Sequence, residues 1–201
     1  LTLSKQYTSS KMKKNYITSI NENIKTHKKL AVLENKINQS IDKIYNTIKS
    51  GGKVFTCGNG GSAADAQHLA AEFLVRLRPN KNRRAYPMIS LALDTSTLTA
   101  CGNDIGFDNI FSRNLSALGD KKDLLIAIST SGNSKNIISA LKEAKKMKIF
   151  SIALLGSKGG NAKKYTDLKL IVPSNSVARI QEAHIFLGHY ILEKVEDLLI
   201  K

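Results

Sequence analysis

Five short apolar runs, Val54–Cys57, Ile89–Leu93, Leu124–Ser129, Ser151–Leu155 and Leu168–Val172, are separated by stretches whose apolar residues return every three or four positions. The runs read as strands. The stretches between them read as helices over Ala63–Leu77, Asn109–Ala117 and Ser134–Met147, with a last helix over Val177–Leu199. Units alternating in this way close a parallel sheet with helices on both faces. Ahead of the first strand, Ile17, Ile20, Ile24, Leu30, Leu33, Ile37, Ile41, Ile44 and Ile48 keep helical spacing as far as Gly51 and Gly52, which adds one or two amphipathic helices as an N-terminal extension. The expected class is α/β, built on a five-stranded parallel sheet.

At 201 residues the chain can bury a full core in one domain, and no apolar run reaches membrane-spanning length. Leu1–Lys14 is basic and polar, without the apolar centre of a secretory signal. It reads as a disordered tail, partly foreign to the natural chain since Met12 lies close by. Two cysteines, Cys57 and Cys101, are too few for a disulfide scaffold and lack zinc-site spacing, so a reducing cytoplasm is expected. The net charge of +15 raises the question of nucleic acid. Eight of those charges come from residues 1–53, where eleven Lys face Glu22, Glu34 and Asp42. With no recognition helix, zinc finger or basic stripe with interleaved aromatics, a solvated basic surface is the better reading.

Two loops follow strands and open helices, the position where open parallel sheets bind ligands. In the first, Ser129, Thr130, Ser131 and Ser134 place four hydroxyls within six residues, directly after a buried strand. A helix N-terminus offers free N–H groups and partial positive charge, and short hydroxyls add donors without filling the space a phosphate needs. A phosphorylated small molecule is the expected guest. The plain alternative is that Ser134 only caps its helix. The second loop is Gly58, Asn59, Gly60, Gly61, Ser62. Its glycines let backbone approach a ligand, although tight packing of any strand-to-helix turn can also require them. It lacks the Lys and Ser/Thr that end a P-loop, and the G-x-G-x-x-G order is not met.

On the helix after that loop, His68 and Glu72 are four residues apart and share a face, within reach of one ion or one substrate. Imidazole with carboxylate suits zinc, while the ordinary alternative is a surface pair. Gln181, His184 and His189 are further candidates on the last helix.

Cys57–Ser62 (CGNGGS), Ala66–Glu72 (AQHLAAE), Gly102–Asp104 (GND) with Gly106 and Phe107, Ile128–Ser134 (ISTSGNS) and Arg179–Glu182 (RIQE) together resemble the phosphoheptose isomerases, enzymes of the sugar-isomerase (SIS) domain family. The resemblance implies a flavodoxin-like SIS domain over residues 15–201. It also implies a zinc-dependent homotetramer with sites at subunit interfaces, converting sedoheptulose 7-phosphate to D-glycero-D-manno-heptose 7-phosphate for heptose-containing surface polysaccharide. By the same resemblance Glu72 is the base and His189 the acid, and His68, Glu72, Gln181 and His189 hold the metal; His184 is left without a role. Asn103 and Asp104 are expected to hold sugar hydroxyls and Ser129, Thr130, Ser131 and Ser134 the phosphate. Asn59, Gly60, Gly61 and Ser62 line the ketose end, where Gln181 also reaches substrate. Val177 and Ala178 depart from the family pattern, which commonly has Thr and an acidic residue there.

One geometric expectation needs a test. Eight residues of helix rise about 12 Å, a long span for Gln181 and His189 to meet at one ion. Either Gly188 loosens the helix or a second subunit completes the site, and the second is expected. Two rival readings share the motifs: a non-catalytic SIS protein that binds a replication initiator, which typically lacks the acid and base, and a phosphosugar sensor fused to a DNA-binding domain. The presence of Glu72 and His189 speaks against the first. The second needs a helix-turn-helix domain for which the N-terminal segment has no room.

Overall fold

A computed structural model describes residues 9–200, with side chains from Asn15 onward. Of the expected tail, residues 1–8 lie outside the described residues, and helix α1 (Ser9–Lys29) already begins within the remainder. A 3-10 turn, Leu30–Leu33, separates α1 from α2 (Glu34–Lys49), so the amphipathic stretch is two helices.

The strands are β1 (Val54–Cys57), β2 (Met88–Ser90), β3 (Leu124–Ser129), β4 (Phe150–Gly156) and β5 (Leu168–Val172), all parallel, in the order β2-β1-β3-β4-β5. This is the flavodoxin-like order, which reverses beside β1. Every residue of β1 and β3 is buried, as strands covered on both faces require. Two separate cores do the covering. One gathers Ile44, Leu69, Phe73, Leu187 and Val195 from α2, α3 (Gly61–Leu74) and α7 (Val177–Ile200); the other gathers Phe111, Leu115, Ile137 and Leu141 from α5 (Ile110–Leu118) and α6 (Lys135–Lys146).

Helix α3 stops at Leu74, three residues short of the expected Leu77, and Val75 already leaves helical geometry. The carbonyls of Glu72 and Phe73, which a longer helix would bond within itself, are taken instead by the Arg83 guanidinium and the Tyr86 N–H. A helix the apolar pattern did not suggest, α4 (Thr95–Cys101), starts at Asp94, whose carboxylate accepts the Ser96 N–H at 3.0 Å. Its Thr- and Ser-rich face carries too few apolar residues to show a period.

Candidate active site

The loops after β1 and β3 flank the crevice made where the strand order reverses. After β3, Ser129 Oγ accepts the Gly132 N–H at 3.1 Å and lies 3.5 Å from Ser134 Oγ. Gly132 has φ +64, and any Cβ on it would collide with the Gly159 carbonyl, so the loop is pressed against the turn following β4. The Asn161 N–H bonded to Asn133 Oδ1 at 2.9 Å and the Ala162 N–H bonded to the Gly132 carbonyl at 2.8 Å hold it there. Ser134 stands at the N-cap of α6, yet its hydroxyl makes no capping bond. The plain reading, in which Ser134 only caps the helix, therefore does not describe this loop. Its hydroxyl is available to a ligand beside the amino end of α6. Ser131 Oγ accepts the Asn133 N–H at 3.1 Å, and Thr130 is half-buried next to it.

The glycine loop is joined to this cradle by a pair that sequence reasoning missed. Asn59 and the buried Asn136, the second residue of α6, exchange two amide hydrogen bonds of 2.8 Å each. Asn59, expected as a side-chain ligand for substrate, thus spends its amide on fixing one loop to the other. A polar residue in the first turn of a helix otherwise packed by Ile137, Ala140 and Leu141 was the signal in the sequence. Ser62 is buried beneath the loop. Gly61 is exposed and faces Gln181: a Cβ there would stand 2.5 Å from the Gln181 amide nitrogen, so the missing side chain is what admits that amide.

Seven to eleven residues further along α3, His68 and Glu72 meet His189 of α7. His68 Nε2 lies 2.8 Å from His189 Nε2 and 3.4 Å from Glu72 Oε1, and one donor atom from each of the three fits within 4.8 Å of the others. Two ring nitrogens at that spacing cannot both carry a proton, so at least one lone pair points into the cluster. His68 is half-exposed and Glu72 less so. One turn before His68, Asp65 has its carboxyl pushed above the usual range by burial, opposed by the His68 ring, and its Oδ2 is buried without a partner.

The expectation that a second subunit completes the site came from the span between Gln181 and His189; Glu72 and His189 themselves need no second subunit to meet, because α3 and α7 of one chain bring both into one cluster with His68. Gly188 does not loosen α7, which runs unbroken from Val177 to Ile200. Its missing Cβ instead makes room for Leu69, whose methyl groups lie 2.7 Å from where that atom would stand. Gln181 and His189 meet α3 at different levels, Gln181 over Gly61 and His189 over His68, as a rise of about 12 Å over eight helical residues requires.

Asn103 and Asp104 occupy an exposed turn of π-helix, Gly102–Gly106, reached from the carboxyl end of β2 through α4; they bond to each other at 2.8 Å. His184 is fully buried with both ring nitrogens unpartnered, and burial drives its pKa down to about 4 against the opposing pull of the Leu155 carbonyl. It is a neutral core histidine at pH 7 rather than a ligand.

The fold and this site together define a phosphosugar-type SIS domain, and residues 15–156 match the family model described as SIS domain. The phosphoheptose isomerase of Chlorobaculum parvum is 52% identical over 157 residues, 78% of this chain and 75% of that protein. Among solved structures, the phosphoheptose isomerase of Neisseria gonorrhoeae superposes with a TM-score of 0.87 at 38% identity, covering 92% of this chain and 99% of the other. That of Francisella tularensis gives 0.88 at 35% identity, covering 94% and 100%. The chain belongs to the phosphoheptose isomerase family.

Proposed function

We propose that this protein isomerises sedoheptulose 7-phosphate to D-glycero-D-manno-heptose 7-phosphate, moving the carbonyl from C2 to C1 through an enediol. The observation that carries the reading is the convergence of a carboxylate and two imidazoles from α3 and α7, with α3 opening from the glycine loop that is tied to the hydroxyl-lined N-terminus of α6. The cradle of Ser129, Thr130, Ser131 and Ser134 takes the phosphate. Gly60, Gly61 and Ser62 with Gln181 line the ketose end, and Asn103 and Asp104 hold chain hydroxyls. Glu72 takes the proton from C1 and returns it at C2, while His189 moves a proton between O1 and O2. The cradle anchors the far end of the sugar so that the reacting carbons stay in front of Glu72.

The donor set of two imidazoles and a carboxylate fits a zinc ion, whereas Gln181, which the resemblance adds to the ligands, stands over Gly61 and apart from this cluster. Bound there, zinc would polarise the substrate carbonyl as a Lewis acid. The same chain's exposed apolar residues, Tyr16, Ile17 and Ile24 on α1 with Phe186 and Tyr190 on α7, support the homotetramer. Free, buried Cys57 and Cys101 suit a reducing cytoplasm, and burial pushes the Cys57 thiol up to about 12, which keeps it unreactive. Among the described residues no helix is long and apolar enough to cross a membrane.

The test is direct. Purified protein incubated with sedoheptulose 7-phosphate, with and without added zinc, is expected to form an aldose phosphate. No turnover in either arm, together with binding to a replication initiator, would replace the isomerase by the non-catalytic reading.

A further inference from the structure

Arg83 lies in the irregular segment between α3 and β2, yet only 2% of its side chain is exposed. Its Nε donates to Glu196 Oε1 at 2.6 Å. Its two remaining nitrogens reach the end of α3: Nη2 donates to the carbonyl of Glu72 at 2.7 Å, and Nη1 to that of Phe73 at 2.9 Å. The guanidinium is also stacked on the Tyr86 ring at 4.6 Å and lies 5.8 Å from that of Phe73. Glu196, on α7, is completely buried and has its second oxygen held by Arg78 Nε at 2.6 Å. Arg78 bonds α7 twice more, at Asp197 Oδ1 (2.7 Å) and the Glu193 carbonyl (3.2 Å).

The last carbonyls of a helix have no partner within it, and here they are the carbonyls of the proposed base and its neighbour. A planar fork that cannot lose its proton is suited to hold two of them while gripping a carboxylate. Glu196 lies seven residues beyond His189, two turns along α7 on the same face. Helices α3 and α7 run in the same direction and touch at three levels: Gln181 over Gly61, His189 and Gly188 over His68 and Leu69, and Glu196 against the end of α3 through Arg83. The third level is the only one of these with buried opposite charges.

We infer that Arg83 and Glu196 are positioning residues, which set the register of α3 against α7 and so hold Glu72 opposite His189. The inference rests on the isomerase reading for its kinetic consequence. Neither residue touches substrate. A shift of α3 by a fraction of a turn would leave the phosphate cradle on β3 and α6 intact while separating base from acid. The signature is therefore a fall in kcat with little change in KM, which general destabilisation, measured well below the melting temperature, does not produce.

The experiment compares Arg83→Lys, which keeps the charge but loses the fork, with Glu196→Gln, which keeps the shape but loses the charge, and uses the exposed Arg84→Lys as control. Each of the first two is expected to lower kcat at least tenfold with KM within threefold of wild type, and the double variant to be no worse than the poorer single, as for one coupled unit. Should Arg83→Lys fail to fold, the near-isosteric Glu196→Gln carries the test alone. Folded variants with kcat within twofold of wild type, or with the loss confined to KM, overturn the inference. Lack of turnover by the wild-type protein strikes the isomerase reading and not this one. Amide hydrogen exchange then decides: faster exchange in residues 66–75 with residues 129–134 unchanged upholds the register role, and equal exchange in both segments removes it.

Discussion

The proposed phosphate cradle and the proposed acid–base cluster are built on opposite principles. The cradle is local: six consecutive residues between β3 and α6 supply every hydroxyl, and its inner bond, from the Gly132 N–H to Ser129 Oγ, spans three positions. The cluster is assembled from residues 121 positions apart, and its geometry depends on how α3 lies against α7. A local site tolerates changes elsewhere in the molecule and loses affinity piecemeal. An assembled one fails when either helix shifts. Binding and chemistry should therefore respond separately to mutation.

The sharpest way to break the comparison is at Glu72. Glu72→Gln is expected to lower kcat about a thousandfold, within the range of a lost general base, while KM stays within a few-fold; steady-state kinetics on sedoheptulose 7-phosphate checks this. A parallel rise in KM would mean that cradle and cluster are not independent. Next in size is a pH effect on stability. His184 holds its proton less well folded, at about 4, than unfolded, at 6.5. Between these values the unfolded chain gains a proton that the native protein refuses, so stability is unaffected above pH 6.5 and falls as pH drops from 6.5 to 4, by about 3 kcal/mol in all. Thermal melts across that window should show the decline in wild type and a flatter profile in His184→Leu, which would separate this core histidine from His189 on the same helix.

A smaller effect sharpens the link between the regions. Asn136→Ala leaves Asn59 with an unpaired amide and is expected to cost about 2 kcal/mol, read as a lower denaturant midpoint. It should also raise KM, since the glycine loop is no longer tied to the cradle. The mildest change is Ser134→Ala. Because Ser134 makes no capping bond, its loss should leave the melting temperature within experimental scatter and raise KM about tenfold, as loss of one hydrogen bond to a charged phosphate does.

The same division explains what could be read from the chain. The strands, the two loops and their anion chemistry follow from local pattern, and β1, β3 and β5 begin and end where their apolar runs do. His68 and Glu72 could be paired because i and i+4 share a helix face. That His189 joins them from the same chain was not legible. The span from Gln181 to His189 suggested a second subunit, and nothing in the sequence around Gly188 declares that its missing side chain lets Leu69 of α3 pack against α7. Asn136, Arg83 and Glu196 were missed for a related reason: each acts through a partner at least ten residues away, and a polar residue in a helix or loop looks the same with or without one.

The central claim is that one chain contributes both the base and the acid of each site. It is tested by mixing two inactive proteins, Glu72→Gln and His189→Gln, under conditions that exchange subunits, and assaying isomerisation of sedoheptulose 7-phosphate. In every mixed assembly each chain lacks one of the two groups, so activity should remain at the level of the separate variants. Recovery of a substantial fraction of wild-type activity would show that base and acid come from different chains.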